Sequence, residues 1–212
     1  MLPRRLSKSV VSVVFFVGLA VPCAAGDDAS KHVDLGYQAL SRADWDTAVA
    51  RFNEAIRAQP NGPEGHRGLG LAYGMRGDSG LAIVELTRAI ELDPTEATAY
   101  RSRGGFYLLK GDYDRAIADC DEAIRRGLKD SATHNNRGYA VLHKGNVEKA
   151  ISDLTEAIRL DPNAGSPYAN RGLAWCSQRA FDRAISDFDE AIRIDRQNVR
   201  ALRARSGAYF HK

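Results

Sequence analysis

The chain has 212 residues, 27% of them charged and 44% hydrophobic, a balance ordinary for a water-soluble chain and long enough to bury a sizeable core. Its formal charge is +3, but the basic residues Arg4, Arg5 and Lys8 all lie in a leader expected to be removed, so the remainder is neutral. That argues against a nucleic-acid partner, which would call for a basic balance.

In chain order, residues 1–26 come first and follow their own grammar. Three basic residues precede a nearly unbroken apolar run, Val10 to Val21, after which Pro22-Cys23-Ala24-Ala25-Gly26 offers small residues before Asp27. This is the layout of a secretory signal peptide, with cleavage expected after Ala25 or Gly26 and the product periplasmic or secreted. A run of this length covers about 18 Å as a helix, short of the ~30 Å hydrocarbon core, so no integral membrane span is expected in the mature chain. Lipid anchoring at Cys23 is the less favoured alternative, because Pro22 sits where a lipoprotein signal carries a small residue. The cysteines that remain, Cys120 and Cys176, stand two repeats apart at different repeat positions and read as buried small hydrophobes.

From residue 29 onward the sequence repeats every 34 residues without a gap. The units are 29–62, 63–96, 97–130, 131–164 and 165–198, with a partial unit 199–212. Position 8 of each full unit is glycine (Gly36, Gly70, Gly104, Gly138, Gly172), position 20 is alanine (Ala48, Ala82, Ala116, Ala150, Ala184), and positions 27 and 28 are always Ala-Ile. Apolar residues at positions 4, 8 and 11, then at 20, 24, 27 and 28, follow the three-and-four spacing of one helix face, so each unit reads as two amphipathic helices. Small residues at 8 and 20 let the pair cross closely. Gly77-Asp78, Gly111-Asp112 and Gly145-Asn146 mark the turn between them, and Pro60, Pro94 and Pro162 stop the second helix.

These residues resemble the tetratricopeptide repeat, a 34-residue helix–turn–helix unit. The resemblance covers about 29–212 and implies an all-α, right-handed superhelical solenoid of antiparallel helix pairs, five full repeats and a C-terminal half repeat. Three departures stand out. Leu128 and Arg196 replace the proline, Ala43 and Arg179 replace the turn glycine, both expected to loosen helix boundaries, and arginine replaces leucine at position 7 from the third repeat on.

That last departure forms a column, Arg103, Arg137 and Arg171, continued by Arg205, which matches a second column, Asp119, Asp153 and Asp187, at position 23. Position 7 of such a fold faces the partner helix, where a lone guanidinium is costly, so a structural Arg–Asp ladder is expected, with ligand binding by the arginines as the alternative. In proteins that look like this one, first helices line a concave groove, and an asparagine at position 6 hydrogen-bonds the backbone of an extended peptide. Asn136 and Asn170 match, and Ser102 matches in part. An amide suits a peptide group because it both donates and accepts; the bland alternative is a tolerated polar surface residue. The groove also collects Arg67, Arg101, Arg200 and Arg203, suited to an acidic segment or a free carboxylate unless they form a solvated face, and Tyr139 among its apolar floor. Groove positions are expected to lie outside the helix–helix contacts.

No catalytic order, CxxC pair or phosphate loop is found, and His32, His66 and His134 occupy one packing position of separate repeats, so neither an enzyme nor a metal or other cofactor is expected. The sequence leaves two readings. One is an exported scaffold that binds a protein or peptide in its groove; the other is a structural subunit docked through its repeat edges into an envelope or secretion assembly.

Overall fold

The computed structural model describes residues 28–212, so the leader and Cys23 lie outside the described residues. The described chain is a succession of α-helices: α1 (Asp28–Ser41), α2 (Trp45–Ala58), α3 (Pro63–Arg76), α4 (Ser79–Leu92), α5 (Ala97–Leu109), α6 (Tyr113–Arg125), α7 (Ser131–His143), α8 (Val147–Leu160), α9 (Gly165–Ser177), α10 (Phe181–Ile194) and α11 (Val199–His211). Each odd-numbered helix packs on the next in its own repeat, and each even-numbered helix packs on the first helix of the following repeat. Successive first helices also touch one another, a set of contacts that the second helices do not form. The first helices therefore crowd the inner side of the stack, and the architecture is the expected all-α solenoid.

The short turn inside each repeat is built from a single hydrogen-bond pattern. After α5, the Gly111 N–H donates to the Leu108 carbonyl and the Asp112 N–H to that of Tyr107, the paired closure of a left-handed helix end. Asp112 then opens α6, its carboxylate accepting the Arg115 N–H at 3.2 Å. Asp44 and Asn146 cap α2 and α8 in the same way. Ala43 and Arg179 keep this geometry without glycine, at φ 58° and 59°, so the boundaries do not loosen there. At Leu128, where proline is missing, Gly127 takes φ 88° and the Leu128 N–H closes on the Ala123 carbonyl, which ends α6 by the same device.

The core runs as a row of small clusters along the stack. The position 20 alanines and the position 24 residues Phe52, Leu86, Cys120, Leu154 and Phe188 are all fully buried. Position 8 is glycine because position 24 of the facing helix lies on it: a Cβ at Gly138 would sit 2.8 Å from Leu154 Cγ. Phe106 stands where Ala72, Ala140, Ala174 and Ala208 stand in other repeats, and the space for its ring comes from Gly74, where a Cβ would fall 1.9 Å from Cζ. Cys120 occupies a position that Leu or Phe fills in other repeats, and burial pushes its thiol pKa up, as befits a small hydrophobe rather than a reactive group.

Candidate peptide-binding groove

The arginine column meets the aspartate column. Arg103 grips Asp119 through Nε and Nη2 at 2.9 and 2.7 Å, Arg137 grips Asp153 at 2.9 and 2.5 Å, and Arg171 grips Asp187 at 2.8 Å for both bonds. The remaining nitrogen of each fork, Nη1, reaches back to position 25 of the preceding repeat: Thr87, Asp121 and Thr155 at 3.0, 2.7 and 3.1 Å. One guanidinium thus ties the two helices of its own repeat to the repeat before it. These arginines are turned to the helix interface and are occupied.

The rungs differ electrostatically. Asp119 is driven above its ordinary pKa because burial outweighs the Arg103 bonds. For Asp153 burial pushes the same way, but His134 and the Arg137 bonds outweigh it and hold the carboxyl below its ordinary value. The difference traces to position 4, tyrosine in the third repeat and histidine in the fourth, where His134 Nδ1 lies 4.0 Å from Asp153. Histidine replaces arginine altogether in the second repeat. There position 7 is Leu69, and His66 Nδ1 meets Glu85, the position 23 residue, at 2.7 Å. In the first repeat His32 lies 2.9 Å from Glu54. The histidines are therefore carboxylate partners as well as packing groups, which the sequence reading missed; acid at position 23 of the second repeat was the available signal.

The position 6 residues are less accessible than expected. Ser102, Asn136 and Asn170 are only 5%, 1% and 3% exposed, because successive first helices close against each other there. They belong to helix contacts instead of lying outside them. Asn170 donates its Nδ2 to Asn135 Oδ1 at 2.9 Å, joining α9 to α7. The amide oxygens of Asn136 and Asn170 are buried with no hydrogen-bond partner among the described residues.

Two of the groove arginines are already engaged. Arg67 pairs with Glu96 at 2.9 Å and Arg101 with Asp130 at 2.6 Å, and each acid is the cap residue preceding the next repeat's first helix. Arg203 stands at the same repeat position, is exposed, and has no carboxylate partner among the described residues. Arg200 reaches from α11 to the face of Tyr139 in α7, 5.0 Å from the ring centre, past the intervening α9. Tyr139 also meets the edge of His143, whose ring stacks on Tyr113 at 4.7 Å. Burial and the nearby Arg200 charge both lower the His143 pKa, keeping it neutral at physiological pH. An apolar pocket of about 430 Å³ opens between α9, α10 and α11, lined by Leu173, Cys176, Phe181, Ala204, Gly207 and His211 among others.

A stack of helix pairs with an inner face built from first helices defines an α-solenoid of the kind that serves protein interaction. The chain belongs to the tetratricopeptide repeat family, whose pattern matches it over residues 33–97, 76–130, 111–165 and 135–199. Solved structures with the same fold include the Cut9 and Hcn1 hetero-tetramer of the APC/C, with 18% identity, a TM-score of 0.78 and 86% of this chain covered. The chain spans 36% of the length of that relative. YrrB, described as a tetratricopeptide repeat protein with an unusual peptide-binding site, is 16% identical with a TM-score of 0.66 over 82% of this chain and 90% of its own. The pilF protein of Pseudomonas aeruginosa is 20% identical with a TM-score of 0.73, over 87% and 88%. No curated protein matches the sequence. No helix among the described residues is long and apolar enough to cross a membrane.

Proposed function

We propose that the chain is an exported scaffold whose inner face binds an extended peptide segment of a partner protein in repeats four to six. The observation that carries this reading is the pair of buried, unpartnered amide oxygens on neighbouring first helices, Asn136 Oδ1 and Asn170 Oδ1. A buried acceptor without a donor costs about 1–3 kcal/mol, and the backbone N–H groups of an extended peptide relieve that cost whatever the side chains. Access requires successive first helices to part at position 6, where they close over the two oxygens. Arg203 then offers a free guanidinium to an acidic side chain or a terminal carboxylate, while the apolar pocket beside it takes an anchoring side chain.

A combinatorial peptide library selected on the purified protein tests the reading. Asn136→Ala combined with Asn170→Ala should weaken a selected peptide about five- to 150-fold at any salt concentration, from two neutral hydrogen bonds. Arg203→Ala should weaken it mainly at low salt, since the Debye length is about 8 Å at 0.15 M. A folded asparagine variant that binds like the unchanged protein removes the groove reading. Export rests on the basic, apolar, small order of residues 1–26 and is tested by the intact mass of protein from fractionated cells. A mass that retains Met1 in the cytosolic fraction defeats it, and a lipid adduct at Cys23 moves the protein to a membrane surface.

A further inference from the structure

One side-chain contact reaches farther along the stack than the others. Among the described residues, hydrogen bonds, ion pairs and cation–π contacts between side chains otherwise stay within one repeat or join neighbouring repeats, as Lys144 joins Asp114 and Arg67 joins Tyr37. Arg200 skips a repeat: its guanidinium, from position 2 of the sixth unit, lies 5.0 Å from the ring centre of Tyr139, at position 9 of the fourth. Position 2 of the other units carries Ser30, Glu64, Thr98, Ala132 or Ser166, none a cation of that reach. The contact therefore ties α11 to α7 across α9, which packs against both.

Within that span lies the seam between α7 and α9. Its one side-chain hydrogen bond among the described residues is Asn170 Nδ2 to Asn135 Oδ1 at 2.9 Å, and Asn136 and Asn170 keep their amide oxygens buried and unpartnered. An unpartnered buried acceptor penalises the closed state, so a seam of this kind parts more readily than an apolar one. Parting α7 from α9 also draws Tyr139 away from α11, so the Arg200 contact opposes it. Arg200 is exposed and meets no carboxylate among the described residues. An exposed cation–π contact is weaker than a charge-assisted bond from arginine to a carboxylate, so an acid brought close takes the guanidinium from the ring.

We propose that Arg200 is a latch on the groove: stacked on Tyr139 it holds the α7–α9 seam shut, and an acidic residue of the incoming peptide releases it by pairing with the guanidinium. The release step rests on the groove reading, whereas the latch is a property of the free protein. A closed latch lowers the fraction of molecules competent to bind, so the apparent affinity for a peptide without an acid at this point falls by the same factor. His143 reports on the latch, since its ring meets Tyr139, and burial and then the Arg200 charge hold its pKa down.

Two NMR signals of the purified protein test the latch without a ligand. Exchange of the Asn170 side-chain amide reads seam opening, and the titration of His143 reads whether Arg200 is seated. Arg200→Ala should speed the exchange about two- to fivefold, the range of an exposed cation–π contact, and move the His143 titration to higher pH. Tyr139→Phe, which keeps the ring face, should leave the exchange unchanged, and in the Tyr139→Leu background Arg200→Ala should add nothing. Arg203→Ala, on the same helix, should also leave it unchanged. Unaltered exchange in Arg200→Ala overturns the latch, and so does an equal effect of Arg203→Ala, which assigns it to the charge of the helix. The trigger is tested with hexaglutamate beside hexaglutamine: the acidic peptide should remove the ring-current shift of the Arg200 Cδ protons, and the neutral one should not. Hexaglutamate that leaves the shift in place overturns the release step. A peptide library that yields no groove ligand would instead remove the peptide-binding reading and leave the two ligand-free measurements standing.

Discussion

At the scale of single residues, the Arg–Asp rungs and the turn positions give sharp expectations. Asp153 has its folded pKa below its ordinary value, so it contributes stability above about pH 3.8 that is lost as pH falls through the lower, folded value. Asp153→Asn should therefore cost about 2–4 kcal/mol in urea unfolding at pH 7, since Arg137 keeps only Asp121, and the gap to the unchanged protein should close below the ordinary carboxylate range. Asp119 has the opposite sign. Its raised pKa means that folding favours its neutral form, so Asp119→Asn should cost less at pH 7 than Asp153→Asn. Ala43 holds a left-handed conformation that only glycine adopts freely, and Ala43→Gly should stabilise by about 0.5–1 kcal/mol, read as a higher urea midpoint with an unchanged slope. The rungs could be read from sequence because both partners recur at fixed positions, 16 residues apart in every case. The pairing of Arg67 with Glu96 and Arg101 with Asp130 was missed: both acids close their units at position 34, 29 residues after the arginine, but the other units carry Gly62, Ala164 and Asn198 there and blur the column.

Within an element, what counts is the contact between the two helices of a repeat. Gly138 is small because Leu154 lies against it, so Gly138→Leu should destabilise by about 1–3 kcal/mol through overpacking, and Leu154→Ala by about 2–5 kcal/mol through the cavity it leaves. Hydrogen exchange should place the loss of protection in α7 and α8 first, since helix packing joins each repeat only to its neighbours. The helix pairs and their small-residue crossings were fully legible, for they follow from spacing alone. The burial of Asn136 and Asn170 was not. Their position marks the side of a helix, but how far successive first helices close on that side depends on the curvature of the stack, which no single repeat encodes.

For the whole molecule, the backward reach of each arginine gives the stack a rule for changing length. Arg171 donates a hydrogen bond to position 25 of whatever repeat precedes it, here Thr155, and keeps Asp187 within its own. Excision of residues 131–164 would bring Asp121 to the place of Thr155, an acid that already serves Arg137 in this role. The shortened chain should fold, with a urea slope reduced by about one sixth to one fifth in line with the surface removed, and an unfolded product would show that the repeats are not interchangeable. A cut that is not a whole number of repeats would break the rung at its junction. Growth and shrinkage of this protein are thus quantised: the arginine ladder acts as a ratchet whose tooth is one repeat, and it admits duplication or loss of whole teeth while rejecting fractions of them.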